Sequence, residues 1–143
     1  MTNLTRVTTL VLGLSLAVGA AFGHGDVSPQ PIDIAGLNPV GEAWLTENPY
    51  RKDPAQFEIA KTIGASGYNQ NCARCHGLQV KSGGLAPDLR YLEKGKDGDE
   101  WFINRIRHGY SQNGATKMPA FEGTFSQEAM WAIRSYLDSV HED

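Results

Sequence analysis

Apolar side chains recur every three or four residues in two well-separated segments of the chain, and this pattern predicts an amphipathic helix in each. The first segment opens with Asp53-Pro54, an acidic N-cap residue followed by proline at the first helical position. Its apolar or small positions are Phe57, Ala60, Ile63, Gly64 and Tyr68. Because glycine is costly inside a helix, Gly64 indicates that another helix approaches closely there.

The second segment lies near the end of the chain, where Ser126 is suited to cap a helix and Glu128 to its positive end. Its apolar stripe consists of Met130, Ile133, Leu137 and Val140, widened by Trp131 and Tyr136. A third helix is predicted in the middle of the chain. It is expected to begin at Asp99 or nearby, to run through Trp101, Phe102, Ile106 and Arg107, and to end at Gly109.

The segments between these helices are predicted to be loops, over Gln79 to Leu92 and over Tyr110 to Gly123. The sequence contains no internal repeat and no convincing strand. The expected architecture is therefore all-α, with three main helices and long loops. Long loops in so small a domain need something to pack against, and a bound cofactor would supply that core.

The N-terminus is typical of a targeting segment. Arg6 precedes an almost entirely small or apolar run from Val7 to Phe22, so residues 1–23 are predicted to be a signal peptide cleaved after Gly23. A retained membrane anchor is the alternative, but the run is shorter than the roughly 20 residues that a spanning helix needs. Export to the periplasm is expected, with no stable membrane insertion after cleavage.

The rest of the chain divides into an extension and one domain. Residues 24–53 are rich in Pro, Gly and Asn and are predicted to be irregular, with Trp44 and Tyr50 anchoring them to the domain. A disordered tail is the alternative. Residues 54–143 are sufficient for a single domain. The formal net charge of −3 argues against nucleic acid as a partner.

The residues Cys72-Ala73-Arg74-Cys75-His76 match the C-x-x-C-H pattern of covalent haem attachment. Cysteines three apart lie on one side of a helical turn, so both sulfurs can reach the vinyl groups along one haem edge, and His76 can then ligate the iron. A redox C-x-x-C site needs a βαβ context, and a zinc site needs further ligands at suitable spacing. A disulfide between residues so close together is strained.

Three methionines compete as a sixth iron ligand. Met1 leaves with the signal peptide, and Met130 lies on an apolar helix stripe, where methionine is usually core filler. Met118 lies in a loop and is followed by Pro119, which fixes the local backbone. Met118 is therefore favoured, and His108, His141 or an open sixth position remain alternatives. Pro87 is the candidate to orient His76 through its carbonyl, the alternative being an ordinary turn proline.

From Gly64 to Leu137 the chain resembles the class I c-type cytochromes. The shared features are Gly64, Tyr68, the C-x-x-C-H motif, Ala86-Pro87-Asp88-Leu89, His108-Gly109, Lys117-Met118-Pro119-Ala120-Phe121, Trp131 and Tyr136-Leu137. The resemblance implies one covalent haem c bound through Cys72 and Cys75, with His76 and Met118 as axial ligands and the Pro87 carbonyl on His76. It also implies that the first and last helices cross near Gly64, with Tyr136 packed at the crossing.

A narrower resemblance covers nearly the whole mature chain. His24-Gly25-Asp26-Val27, Asn48-Pro49-Tyr50-Arg51, Tyr68-Asn69-Gln70-Asn71 and the segment Ser126 to Trp131 look like the periplasmic cytochromes c that serve quinoprotein alcohol dehydrogenases. This implies a monomeric electron carrier that accepts electrons from a pyrroloquinoline quinone (PQQ) dependent alcohol dehydrogenase. The same resemblance implies that the carrier passes these electrons to a respiratory oxidase or another cytochrome. The alternatives are a general periplasmic shuttle, a haem sensor or enzyme with an open sixth site, and a subunit of a larger complex.

Arg74 lies between the two cysteines and is the predicted docking charge at the exposed haem edge. Scattered lysines could add to it and steer an acidic partner; they are Lys81, Lys94, Lys96 and Lys117. The alternative is that these lysines are simply a solvated face.

Overall fold

The computed structural model describes residues 28–143. The predicted signal peptide and the motif His24-Gly25-Asp26-Val27 lie outside the described residues. The helices are α1 (Pro54–Asn71), α2 (Ala73–His76), α3 (Gly95–His108) and α4 (Gln127–Ser139), and the strands are β1 (Tyr110–Gln112) and β2 (Ala115–Met118). Short 3₁₀ turns cover Pro49–Lys52, Leu78–Val80 and Leu89–Tyr91. Within residues 28–143, no helix has both the length and the apolar character needed to cross a membrane.

Helices α1 and α4 form the main packing contact of the fold. Gly64 of α1 lies directly against the backbone of α4, because a Cβ atom there would be 1.9 Å from the Ala132 carbonyl oxygen. Next to this crossing, the rings of Tyr68 and Tyr136 pack with their centroids 5.5 Å apart. The close approach explains why the helix interior tolerates a glycine.

Both terminal helices begin with the caps that the sequence predicts. The Asp53 carboxylate accepts hydrogen bonds from the backbone N–H groups of Ala55 and Gln56, and the Ser126 hydroxyl accepts one from Ala129. These bonds satisfy donors that a helix start leaves unpaired. Met130 is fully buried within α4, as expected of a core methionine.

Residues 28–53 form an irregular strap that packs along α1 and α4. Two backbone N–H groups of the strap donate to side chains at the start of α4: Val40 to Glu128 at 3.1 Å and Leu45 to Gln127 at 2.7 Å. Near its end, Tyr50 is buried and donates a hydrogen bond from its hydroxyl to the Asn38 carbonyl. Apart from the 3₁₀ turn Pro49–Lys52, the strap has no regular secondary structure, and long-range hydrogen bonds hold it to the helices.

A buried ion cluster joins the strap to α3 and α4. Asp99 is completely buried and accepts hydrogen bonds from the guanidinium groups of Arg51 and Arg134 and from the Asn48 backbone N–H. Burial alone would raise the pKa of the Asp99 carboxyl, but these donors more than offset it and the pKa is lowered. Asp138 closes the cluster, and there burial dominates and raises the pKa.

Two expectations from the sequence are wrong in detail. The middle helix begins at Gly95, four residues before Asp99, because Asp99 is used as the buried ion partner and not as a cap. The segment after α3 is not all loop, since β1 and β2 pair as a short antiparallel hairpin around Asn113 and Gly114. All of the hairpin except Met118 is solvent-exposed, so it lacks the apolar alternation that identifies a strand.

Candidate functional site

The two cysteines lie where α1 gives way to the single turn of α2. Cys72 caps α1, and its carbonyl accepts hydrogen bonds from Cys75 and His76 at 3.1 and 2.9 Å, which closes the turn. Neither cysteine forms a disulfide. Burial raises the pKa of the Cys72 thiol to about 12, with a smaller contribution from Cys75.

The His76 imidazole is oriented by a backbone carbonyl. Its Nδ1 lies 2.8 Å from the Pro87 oxygen. Since a carbonyl can only accept, Nδ1 carries the hydrogen, and the lone pair of the neutral ring is on Nε2. Nε2 is thus the nitrogen that can ligate a metal ion.

The side chains of Asp88 and Arg90, which follow Pro87, fix the loop that carries it. The Asp88 carboxylate accepts hydrogen bonds from the backbone N–H groups of Ser82 and Arg90 and from the Arg90 guanidinium. The Arg90 hydrogen bonds lower the pKa of Asp88 to about 2. Arg90 also pairs with Glu142 at 2.6 Å, so this loop is tied to the segment after α4.

Met118 is the last residue of β2 and is half-buried. Its backbone packs against Gly109 at the end of α3, where a Cβ atom would be 2.4 Å from the Met118 carbonyl oxygen. Gly109 also has a φ of +70°, a conformation that favours glycine. The turn after α3 therefore brings the methionine loop back against the helix end.

One cavity of about 520 Å³ brings these side chains together. Cys72, Cys75, His76 and Met118 all line it, and so does Pro87. The remaining wall is mostly apolar; its members include Leu85, Leu89, Phe102, Ile106, Phe121 and Ile133. A flat apolar group with a metal at its centre fits this combination of two thiols, one imidazole and one thioether.

Other metal chemistry finds less support in the part of the chain that the structure describes. Within residues 28–143, no three His, Cys, Asp or Glu side chains are grouped so that they could hold a metal ion. His108 and His141, the alternative iron ligands, do not line the cavity. His108 bonds to the Asn104 carbonyl and is largely exposed, whereas His141 lies beside Asp143.

Arg105 is a cavity residue that sequence reasoning missed. Its guanidinium lies between two aromatic rings, 5.2 Å from the Trp101 centroid and 4.6 Å from the Tyr110 centroid, and all three residues line the cavity. In residues 28–143, Arg105 makes no ion pair with a carboxylate. The four-residue spacing from Trp101 on one helix is the signal that could have found it.

The other predicted site residues lie outside the cavity wall. Arg74 is exposed on α2 between the two cysteines. Gly64 and Tyr136 lie at the α1–α4 crossing, where they support the helix that leads into Cys72.

Two matches to known sequences show which family the chain belongs to. The sequence model of the family described as "Cytochrome C oxidase, cbb3-type, subunit III" matches residues 60–137. Over 141 residues the chain is 55% identical to a protein named cytochrome c550 from Pseudomonas aeruginosa, covering 99% of this chain and 97% of that protein. The chain belongs to the class I c-type cytochromes. This cytochrome is therefore an electron carrier and not an enzyme, and membership of the family implies a covalently bound haem c.

A second relative of the cytochrome is an enzyme. Over 103 residues the cytochrome is 36% identical to the quinohemoprotein alcohol dehydrogenase ADH-IIG of Pseudomonas putida. The match covers 68% of this chain and only 14% of that much longer protein. No solved structure matches the cytochrome significantly.

Proposed function

We propose that this cytochrome is a diffusible periplasmic carrier that accepts single electrons from a PQQ-dependent alcohol dehydrogenase and passes them to a respiratory oxidase or another cytochrome. Its haem c is bonded to the sulfurs of Cys72 and Cys75, and the iron is ligated by His76 Nε2 and the Met118 thioether. The observation that carries the proposal is that these four side chains line one cavity.

Each side chain has a separate task in this proposal. The two cysteines hold the haem by thioether bonds, so that a small exported protein does not lose it. The Pro87 carbonyl, 2.8 Å from His76 Nδ1, fixes the plane of the imidazole and increases its basicity. With Met118 as a second protein ligand to the iron, the haem would have a higher reduction potential than with His76 alone and would bind oxygen or peroxide poorly. When bound, the haem supplies a one-electron iron couple.

Arg105 adds a positive charge to the cavity wall. It has no carboxylate partner within residues 28–143 and lies against Trp101 and Tyr110. A guanidinium in such a place suits an anionic carboxylate of the bound group.

The similarity to a quinohemoprotein alcohol dehydrogenase supports the choice of donor. A stretch like this cytochrome makes up 14% of that enzyme, so a related domain occurs in the same chain as a dehydrogenase. Oxidation of an alcohol to an aldehyde yields two electrons and two protons. Each cytochrome takes one electron, so one turnover reduces two cytochromes and releases two protons to solvent.

The region around the cysteines offers a basic docking surface. Arg74, Lys81 and Lys117 are exposed, and none of them makes an ion pair within residues 28–143. Lys94, by contrast, pairs with Asp143 at 3.0 Å. Unpaired positive charge beside the cavity, on a chain that is acidic overall, favours a donor with an acidic docking face.

The ligand set is tested by the near-infrared spectrum of the oxidised holoprotein. We expect a methionine–iron charge-transfer band that Met118→Ala abolishes and that Met130→Leu, a substitution in the buried core, leaves unchanged. The reduced wild type should bind carbon monoxide poorly and the Met118→Ala variant readily. If the wild type lacks the band and binds carbon monoxide readily, the result would instead support a sensor or enzyme with an open sixth site.

A further inference from the structure

We propose that the strap retains the methionine loop on the domain through a clamp formed by Trp44, Arg107 and Glu122, and so keeps the sixth coordination site closed. The methionine loop is residues 118–125. The inference rests on the proposed ligation of the iron by Met118, and it assigns to the strap a role in that ligation.

The loop is attached to the end of α3 just after Met118. Phe121 and Glu122 donate backbone hydrogen bonds to the carbonyls of Ile106 and Arg107, at 3.0 and 3.3 Å. The Glu122 carboxylate also accepts two hydrogen bonds from the Arg107 guanidinium, at 3.0 and 3.1 Å. A two-point pair of this kind fixes orientation as well as distance. The return of the chain from Met118 to the helix is therefore held by two backbone hydrogen bonds and by the Arg107 side chain.

Trp44 of the strap covers the same guanidinium. The Arg107 Cζ atom lies 3.9 Å from the centroid of the Trp44 ring. Trp44 keeps 36% of its surface exposed, so its indole is spread over Arg107 at the surface and is not part of the core. The stack holds the planar guanidinium in place while its edge faces Glu122.

One side chain forms hydrogen bonds with the strap backbone on both sides of Trp44. Gln127, at the start of α4, accepts a hydrogen bond from the Leu45 N–H at 2.7 Å and donates one to the Ala43 carbonyl at 3.0 Å. Gln127 is itself buried. The backbone around Trp44 is thus fixed, and the indole cannot leave Arg107 without breaking these bonds or changing its rotamer.

These contacts oppose opening of the methionine loop. Movement of residues 118–122 together away from α3 requires Glu122 to leave Arg107 or Arg107 to leave Trp44. The clamp lowers the population of open states, and an added ligand can enter only in such states. Loss of Trp44 should therefore make the sixth site easier to enter, although Trp44 does not line the cavity.

The test is binding of imidazole to the oxidised holoprotein, measured both as an equilibrium affinity and as a rate. For a partly exposed cation–π contact, Trp44→Ala should raise both by about two- to fivefold. Trp44→Phe keeps a ring over Arg107 and should stay close to wild type. Glu122→Gln weakens the clamp from the loop side and should shift binding in the same direction as Trp44→Ala.

A matched control variant removes the hydrogen bonds that hold a different part of the strap. Gln56 accepts a hydrogen bond from the Asn38 N–H at 2.7 Å and donates one to the Gly36 carbonyl at 3.2 Å. Gln56→Ala should leave imidazole binding at the wild-type level. Equal binding by Trp44→Ala and wild type would overturn the proposal, and so would an equal gain in Gln56→Ala, which would indicate general loosening.

The near-infrared band separates this proposal from the one on which it rests. A wild type without the methionine–iron band would refute the ligation by Met118 and the clamp with it. A wild type with the band, whose Trp44 and Glu122 variants bind imidazole normally, would refute the clamp alone.

Discussion

The close backbone contact between α1 and α4 at Gly64 gives the sharpest stability prediction. Gly64→Ala places a methyl group 1.9 Å from the Ala132 carbonyl oxygen, 2.4 Å from the Ala132 carbonyl carbon and 2.9 Å from the Ile133 nitrogen. All three are backbone atoms in the middle of α4, so no side-chain rotation relieves the overlap. Ordinary contact begins at 3.4 Å, and the two helices must therefore separate by about 1.5 Å at the crossing.

The expected cost is the difference between two effects. Overpacking against backbone is at the upper end of the usual range, about 3 kcal/mol. Alanine is a better helix former than glycine, and this stabilises the variant by about 1 kcal/mol. The variant should therefore lose about 2 kcal/mol of unfolding free energy, or about 8 °C in Tm at about 4 °C per kcal/mol.

Urea unfolding of the holoprotein, followed by far-ultraviolet circular dichroism, measures this loss. Gly83→Ala is the matched control, because a Cβ atom at Gly83 meets nothing within 4 Å. The control should stay within about 0.5 kcal/mol of wild type. A Gly64→Ala protein as stable as wild type, or more stable, would mean that helix propensity decides at this position, and it would refute the close crossing.

Three further predictions concern the ion cluster and the methionine loop. Asp99→Ala leaves the buried Arg134 guanidinium with its hydrogen bond to the Glu93 carbonyl at 2.6 Å and, as its remaining carboxylate, only Asp138 at the longer distance of 3.5 Å. The variant should lower the free energy of unfolding by about 3 kcal/mol in the same urea assay, and a loss below about 1 kcal/mol would contradict the account. Because the folded-state pKa of Asp99 is lowered, its stabilisation is complete above the unfolded-state pKa of about 4 and is lost as the pH falls towards the folded value. The raised pKa of Asp138 acts with the opposite sign. Asp99→Asn removes the contribution of the lowered Asp99 pKa, so the variant should lose stability less steeply than wild type as the pH falls. An unchanged slope would count against Asp99 as the source of the acid loss of stability. Gly109→Ala forces a side chain into a conformation of φ +70° and against the Met118 carbonyl, and should weaken the methionine–iron band; an unchanged band would show that the loop accommodates the methyl group.

The sequence predicted the helices whose ends carry a local chemical signal. Asp53 and Ser126 cap α1 and α4 through their own side chains, and both helix starts were predicted. The start of α3 was missed because Lys94 makes no side-chain capping bond and Gly95 is a weak helix former. Asp99 resembles a cap in the sequence, but its carboxylate bonds to two arginines distant in the chain.

The hairpin was missed for a related reason. Its strands are three and four residues long and almost entirely exposed, so they carry no buried face. The Asn113-Gly114 pair, with φ values of 52° and 75°, is the turn signal that could have identified it.

The residues of the candidate site differ in the same way. Cys72, Cys75 and His76 form a contiguous motif, and Met118 is followed by a proline, so a sequence pattern can identify all four. The stack of Trp44 on Arg107 joins residues 63 apart in the chain, and no local pattern encodes such a pair. Long-range contacts of this kind depend on how the strap and helices pack, which only the folded structure reveals.

The central claim is most directly tested by stopped-flow reduction of the oxidised cytochrome by a PQQ-dependent alcohol dehydrogenase with its alcohol, at several salt concentrations. The account predicts fast, saturable reduction that slows as salt screens the docking charges. Arg74→Glu should slow reduction at low salt without changing the spectrum, whereas Lys52→Glu, the same charge reversal on the strap, should not. Slow reduction by every such dehydrogenase tried would contradict the assigned donor, and equal rates for the Arg74 and Lys52 variants would contradict the docking surface.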